Sequence, residues 1–131
     1  MDDPRQIDDD TFEDWVFDAL DELPERLRLG LGSLAVLIED EAPAELKAHY
    51  GAYDLYGHFR GFHLGTLDGS VAVRPPSTIT IYKGPCIRSA PTVGGVRARV
   101  RSTVLHEVGH QLGLDDDRIH RLLGEPALEG H

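Results

Sequence analysis

Two histidines four residues apart, His106 and His110, constrain the fold of this chain more than any other feature. An i, i+4 pair lies on one face of a helix, one turn apart, where two imidazoles can bind the same metal ion. A long helix is predicted from Thr92 or Gly94 to Leu112, because apolar side chains recur on one face, at Val96, Val100, Val104 and Leu105. The sequence therefore predicts a long helix that carries a metal site.

The residues that follow the first histidine indicate the chemistry of that site. Glu107 lies about 100° round the helix from His106, so its carboxylate reaches a metal-bound water rather than the metal. Zinc lowers the pKa of its water, and such a carboxylate takes the proton and delivers it to a leaving amine. Gly113 predicts a left-handed helix end. Asp116 then turns back as the third zinc ligand, and a fourth position stays open for water.

Several other side chains remain alternatives for the third ligand. A later glutamate, or a neighbour of Asp116, supplies a similar donor, and the candidates are Glu125, Glu129, Asp115, Asp117 and His120. His120 lies four residues after Asp116 on the same helical face. Three other functional roles are open to His120: a fourth ligand, a group that orients a ligand, or a substrate contact. The alternative is that it is a plain surface histidine.

The pattern His106-Glu107-x-x-His110-x-x-Gly113-x-x-Asp116 resembles that of the zincin metallopeptidases, in particular the small bacterial zincin-like minimal metalloproteases. The resemblance extends to residues 78–85, to the helix that leads into residues 103–106, and to residues 115–122. It implies a zincin-like α+β core, a Zn2+ cofactor and a peptidase site. The chain differs from the metzincins, which have histidine in place of Asp116 and a methionine-containing turn, since Met1 is its only methionine.

The rest of the chain predicts an α+β fold in which a small twisted mixed sheet of three or four strands packs against two helices. These are an N-terminal helix over residues 11–22, capped by Asp9 or Asp10, and the long active-site helix. A short helical turn is expected over residues 24–28 and a C-terminal helix over 116–123. Strands are predicted at Leu34–Ile38, Phe62–Leu67, Ser70–Val73 and Thr78–Tyr82, with a turn at Asp68-Gly69.

Residues 40–60 stay unassigned apart from a helical turn over Glu45–Tyr50. The strand Thr78–Tyr82 is expected at the sheet edge nearest the active-site helix, where zincins hold a peptide as an added strand. Tyr82 is either a packing residue or a hydroxyl that stabilises an oxyanion. A group of polar rings lines the cleft or belongs to a polar loop: Tyr50, Tyr53, Tyr56, His49, His58 and His63.

The net charge of −10 is concentrated near the N-terminus. Residues 1–25 hold eleven of the 23 acidic residues and one of the 13 basic ones. Such a segment disfavours binding to nucleic acid or an anionic membrane, and it is either a solvated helix face or a docking surface for a basic partner. Residues 1–10 are predicted to be a disordered arm, dispensable for folding and zinc binding, before a single domain over 11–131.

Cysteine usage and hydropathy suggest where the protein works. The single cysteine, Cys86, excludes a disulfide framework and is expected to be a buried thiol. No apolar run reaches the roughly 20 residues of a membrane-spanning helix, and the acidic N-terminal residues are not expected to be a secretory signal. A cytoplasmic monomer is therefore expected. Arg97, Arg99 and Arg101 are predicted to form a solvated helix face rather than a phosphate clamp.

These patterns together predict a zinc metallopeptidase that acts on a peptide or protein, with Glu107 as general base. Two alternatives remain open. One is a non-catalytic zinc domain that binds a protein partner, which has no need of Glu107. The other is a zinc hydrolase with a non-peptide substrate such as an amide or RNA, of which RNA is disfavoured by the acidic N-terminus.

Overall fold

A computed structural model describes residues 6–51, 54–61 and 77–123. These residues form an α+β domain with a three-stranded mixed sheet, as predicted. Its elements in chain order are α1 (Asp9–Asp21), α2 (Glu25–Leu31), β1 (Leu34–Glu39), α3 (Ala44–His49), β2 (Gly57–Arg60), β3 (Ser77–Tyr82), α4 (Lys83–Arg88), α5 (Val93–Gln111) and α6 (Asp116–Leu123).

The sheet has the order β1-β3-β2, so β3 is its central strand. β3 runs parallel to β1 and antiparallel to β2, and Ile79 is paired with Val36 on one side and Phe59 on the other. The prediction that β3 forms the sheet edge was therefore wrong. Its β-branched side chains are buried on both faces, which is typical of a central strand. β2, which lies beside β3 at the edge of the three-stranded sheet, was not predicted. It has only four residues, which are too few to show a periodic pattern in the sequence.

The core lies between the sheet, α1 and α5. α1 buries the five apolar side chains that its helical spacing predicted, Phe12, Trp15, Val16, Ala19 and Leu20. α5 contributes a buried valine row at four-residue intervals, formed by Val96, Val100, Val104 and Val108. This packing fixes the direction in which the opposite face of α5 points, and that face carries His106.

The N-terminal helix begins two residues earlier than predicted. Its cap is Asp8, whose carboxylate accepts a hydrogen bond of 2.9 Å from the backbone N–H of Thr11. Asp9 and Asp10, expected as caps, lie in the first turn, where negative charge favours a helix N-terminus. Ile7 packs against the core, and Lys83 pairs with Asp9. The end of the predicted arm is thus joined to the domain.

Two ion pairs join the acidic α1 to the basic face of α5. Arg97 lies 3.1 Å from Asp18, and Arg101 binds Glu22 through two nitrogens, the shorter distance being 2.7 Å. Exposed pairs of this kind contribute about 0–1 kcal/mol each. Part of the N-terminal negative charge is thereby neutralised within the chain.

Some predicted features lie outside the described residues. They are the hairpin over residues 62–73, the rings of Tyr53 and His63, and the alternative ligands Glu125 and Glu129. Within the described ranges, no helix combines the length and the apolar character needed to cross a membrane.

Candidate active site

The helix α5 carries His106, Glu107 and His110 on one continuous segment. Thr92 caps the N-terminus of this helix, because its hydroxyl accepts a hydrogen bond from the backbone N–H of Gly95. The helix ends after Gln111, and Gly113 adopts a left-handed φ of 83°. The predicted helix and its glycine end are therefore confirmed.

The end of α5 is a Schellman motif. The backbone N–H of Leu114 donates to the carbonyl of Gly109 at 2.9 Å, and that of Gly113 donates to the carbonyl of His110 at 3.0 Å. The motif reverses the chain within three residues, so that α6 packs back against α5. Both Asp116 and His120 reach the histidine face of α5 because of this reversal.

Gly109 permits the close approach of the two helices. A Cβ atom at this position would lie 2.8 Å from Cγ1 of Ile119, which is buried between α5 and α6. A side chain at position 109 therefore requires Ile119 to shift, which disturbs the contact between α5 and α6. The sequence pattern did not single out Gly109, because the contact it permits is with a residue ten positions away.

The tautomer of His106 is set by a backbone carbonyl. Nδ1 lies 2.8 Å from the carbonyl oxygen of Ser102, one turn earlier in α5. A carbonyl only accepts hydrogen bonds, so Nδ1 must carry the proton. The neutral ring then has its lone pair on Nε2, the state that a metal ligand needs.

His120 lies next to that lone pair. Its Nε2 atom is 3.3 Å from Nε2 of His106, and the rings meet edge to face with centroids 5.3 Å apart. His120 is 7% exposed, which excludes the interpretation of a plain surface histidine.

Asp116 contacts the second histidine of α5. Its Oδ1 atom lies 2.8 Å from Nε2 of His110, and both side chains are more than half exposed. The hydrogen bond from His110 lowers the pKa of Asp116. The neighbouring Asp115 accepts from the backbone N–H of Arg118 and so caps α6, as expected for an aspartate that does not turn inward.

The four side chains form two pairs, His106 with His120 and His110 with Asp116. In the parts of the chain that the structure describes, no three His, Cys, Asp or Glu side chains are grouped so as to hold one ion as they stand. Joint ligation by the two pairs therefore requires side-chain rotation, for which the exposed His110 and Asp116 have room.

Glu107 is partly buried beside His106. Burial disfavours the charged carboxylate and raises the pKa of Glu107, while His110 acts in the opposite direction. Glu107 and His106 border a cavity of about 480 Å³ between α5, α6 and the segment that leads into β2. The other lining residues are Asp54, Leu55, Tyr56, Gly57, Arg99, Ser102, Thr103 and His120.

With the exception of Tyr56, the remaining candidates that the structure describes lie away from this cavity. Tyr82 is 3% exposed, and burial raises its pKa. These features favour the interpretation of Tyr82 as a packing residue over that of a hydroxyl that stabilises an oxyanion. The ring of Tyr50 contacts those of His49 and His58 in a separate group. Cys86 is buried as predicted, and burial raises its pKa to about 12. Of the predicted polar rings that the structure describes, Tyr56 alone lines the cavity.

Comparison with known proteins identifies the family. The model of the zincin-like metallopeptidase family matches residues 31–125, which span the sheet and both site helices. The chain belongs to the zincin-like metallopeptidase family. Among solved structures, this zincin-like protein resembles a conserved hypothetical protein from Thermus thermophilus, with 24% identity and a TM-score of 0.50. The match covers 79% of this chain and 92% of that one, and supports the fold alone. No curated protein matches the chain.

The donor set of the zincin-like protein fits the zinc that its family implies. Imidazole nitrogen and carboxylate oxygen are common zinc ligands, and His106, His110, His120 and Asp116 supply only these. The carbonyl of Ser102 also gives His106 the tautomer that ligation requires.

Proposed function

We propose that the protein is a zinc-dependent peptidase in which His106, His110 and Asp116 hold the metal and Glu107 is the general base. The observation that carries this proposal is the position of Glu107 beside His106 on the wall of one cavity. A purely structural zinc site does not need a carboxylate there, whereas hydrolysis needs a base next to the ligands.

Each residue has a separate task. Zinc, when bound, supplies the Lewis acid that makes water nucleophilic near neutral pH. Glu107 accepts a proton from the attacking water and delivers it to the leaving amine nitrogen. Its partial burial raises the pKa of Glu107, which makes the carboxylate a stronger base and so favours the first of these transfers. The carbonyl of Ser102 keeps the His106 ring oriented.

A peptide is the substrate that the surroundings favour. Gly57, the first residue of β2, lines the cavity, so an extended chain placed along β2 passes the histidine face of α5. The cavity is within the volume range of small-ligand sites and leaves room for a few residues. The proposed substrate strand thus lies beside β2 and not beside the central β3.

A digest of an unbiased peptide mixture tests the function. Zinc-loaded protein is expected to cleave members of the mixture, as detected by mass spectrometry. Glu107→Gln keeps the side-chain shape and should retain zinc, but it cannot accept the proton and should cleave about 10²–10⁴-fold more slowly. Loss of zinc from this variant would make Glu107 a ligand, and equal cleavage by both proteins would refute the mechanism.

His120 favours one second candidate, a closed zinc site without hydrolysis. If His120 joins His106, His110 and Asp116, four protein ligands fill a tetrahedral ion and no position is left for water. The two candidates predict opposite results for His120→Ala in the same digest. Cleavage that appears only in the variant indicates a closed site, whereas cleavage by the unaltered protein indicates an open one.

A further inference from the structure

Arg99 differs from the other described arginines of its helix. Arg97 and Arg101 each bind a carboxylate of α1 or its C-terminal cap, and Arg88 of α4 binds both Glu41 and Asp54. Among the described residues, no carboxylate lies within ion-pair distance of Arg99. Arg99 is partly buried and its guanidinium is permanently charged, yet none of the described carboxylates compensates that charge as Asp18 and Glu22 do for Arg97 and Arg101.

The guanidinium is instead held against an aromatic ring. Its central carbon lies 4.3 Å from the centroid of the Tyr56 ring. A cation–π contact attracts the charge of the guanidinium to the ring and does not use its N–H donors in hydrogen bonds to a carboxylate. Those donors have the fork geometry that binds a carboxylate through two parallel hydrogen bonds.

Arg99 borders the cavity that contains the proposed active site. It lies seven residues before His106, hence two turns away on the same face of α5 and about 10 Å along the axis. Ser102 and Thr103 lie between them on the cavity wall. An extended peptide rises about 3.3 Å per residue, so Arg99 is about three residues from the proposed scissile bond.

A second hollow shares part of its wall with this cavity. This hollow has a volume of about 210 Å³, shares Arg99 and Ser102 with the first, and is completed by Ser89, Gly95 and Ala98. Arg99 thus stands where the two hollows meet. A ligand that extends along α5 from Glu107 towards the second hollow therefore comes close to Arg99.

We infer that Arg99, held by Tyr56, is a specificity-determining residue that binds a carboxylate of the substrate. This inference rests on the proposed peptidase function and names its substrate class, peptides with an acidic group about three residues from the cleaved bond. The carboxylate is that of an Asp or Glu side chain, or the free C-terminus of a short peptide.

Binding to the inactive variant tests the inference without the need for catalysis. Zinc-loaded Glu107→Gln protein is titrated into fluorescein-labelled hexapeptides that are compared in pairs. One member of each pair has a single glutamate, and the other has a glutamine at the same position. One set ends in an amide and a second in a free carboxylate, which separates the two sources. When the glutamate occupies one particular position, or when the C-terminus is free, the acidic peptide should bind about 10–100-fold more tightly than its neutral counterpart. Fluorescence anisotropy measures the two affinities.

The variants assign that preference to Arg99. Arg99→Gln in the Glu107→Gln background should abolish the preference, and Arg99→Lys should retain part of it, since it keeps the charge without the planar fork. Arg97→Gln is the matched control, because Arg97 pairs with Asp18 of α1 and borders neither hollow, and this variant should retain the full preference. Thermal unfolding shows that each variant is folded.

The inference and the proposed function fail in different ways. Equal binding of acidic and neutral peptides, a preference that survives Arg99→Gln, or the absence of any peptide binding overturns the inference. If the unaltered, zinc-loaded protein cleaves nothing in the unbiased mixture, the peptidase function is overturned. In that case an Arg99-dependent preference for a carboxylate still stands, as the property of a binding site.

Discussion

The Nε2 atoms of His106 and His120 lie 3.3 Å apart, although the residues belong to different helices. Two donors of one tetrahedral zinc, each at about 2.0–2.1 Å, are about 3.3–3.4 Å from each other. The pair therefore has the spacing of two ligands of one ion without any movement of either helix. The exposed pair of His110 and Asp116 is the more adaptable half of the site.

His120→Ala should weaken zinc binding about tenfold or more. The substitution removes an imidazole whose Nε2 already lies at ligand spacing from Nε2 of His106, and the loss of a ligand should cost at least as much as the roughly 10–100-fold that the loss of a ligand-orienting partner costs. Competition with a chelator at fixed pH measures the effect. His49→Ala, in the ring group that lies away from the cavity, is the control. Unchanged affinity in both variants would exclude His120 from the metal site.

The three consecutive aspartates should differ in their effects on zinc affinity. Asp116→Ala should lower it by more than about 100-fold, because a ligand is lost rather than a partner of a ligand. Asp115→Ala removes the cap of α6 and should cost about 1 kcal/mol of stability with little change in affinity. Asp117→Ala should change neither quantity appreciably. Equal affinities across the series would place the third ligand elsewhere, at His120, Glu125 or Glu129.

Gly109→Ala should destabilise the protein and weaken zinc binding together. The added methyl group meets the buried Ile119, and such overpacking costs about 1–3 kcal/mol, of which the better helix propensity of alanine returns at most about 1 kcal/mol. Because Ile119 precedes His120, displacement of α6 also moves a donor. Denaturant unfolding and chelator competition measure the two effects.

Gly94→Ala is the matched control for this prediction. Gly94 lies in the same helix, and a Cβ there has no heavy atom within 4 Å, so the variant should be as stable as the parent or slightly more so. A Gly109→Ala protein with the stability of Gly94→Ala would show that α6 is not held by this close approach.

Cys86 should react slowly with thiol reagents in the native state. The side chain is fully buried and its pKa is raised to about 12, so the reactive thiolate is scarce at pH 8. A disulfide reagent should modify it fast only after denaturation. The unfolded thiol ionises near pH 9, so this group contributes its full stability below that pH and loses it as the pH rises towards 12. Rapid native modification would contradict the burial.

Local pattern was sufficient for much of this molecule. The helical spacing of Phe12, Trp15 and Val16 predicted the buried face of α1, and the spacing of His106 and His110 predicted the shared face of α5. The glycine at position 113 predicted the helix end. These features depend on residues within one or two turns, where side-chain direction follows from backbone geometry.

The sequence by itself thus determined the α+β class, the site helix, its glycine end and the residue types that suit zinc. The tertiary structure alone decided that β3 is the central strand and that His120 lies against His106. It also decided the different surroundings of three arginines on α5. Arg99 borders the cavity, whereas Arg97 and Arg101 pair with the N-terminal helix and its C-terminal cap. Periodicity assigns a side chain to a face of its own element. Which element covers that face depends on contacts between segments 14 to 79 residues apart, and no local pattern records them.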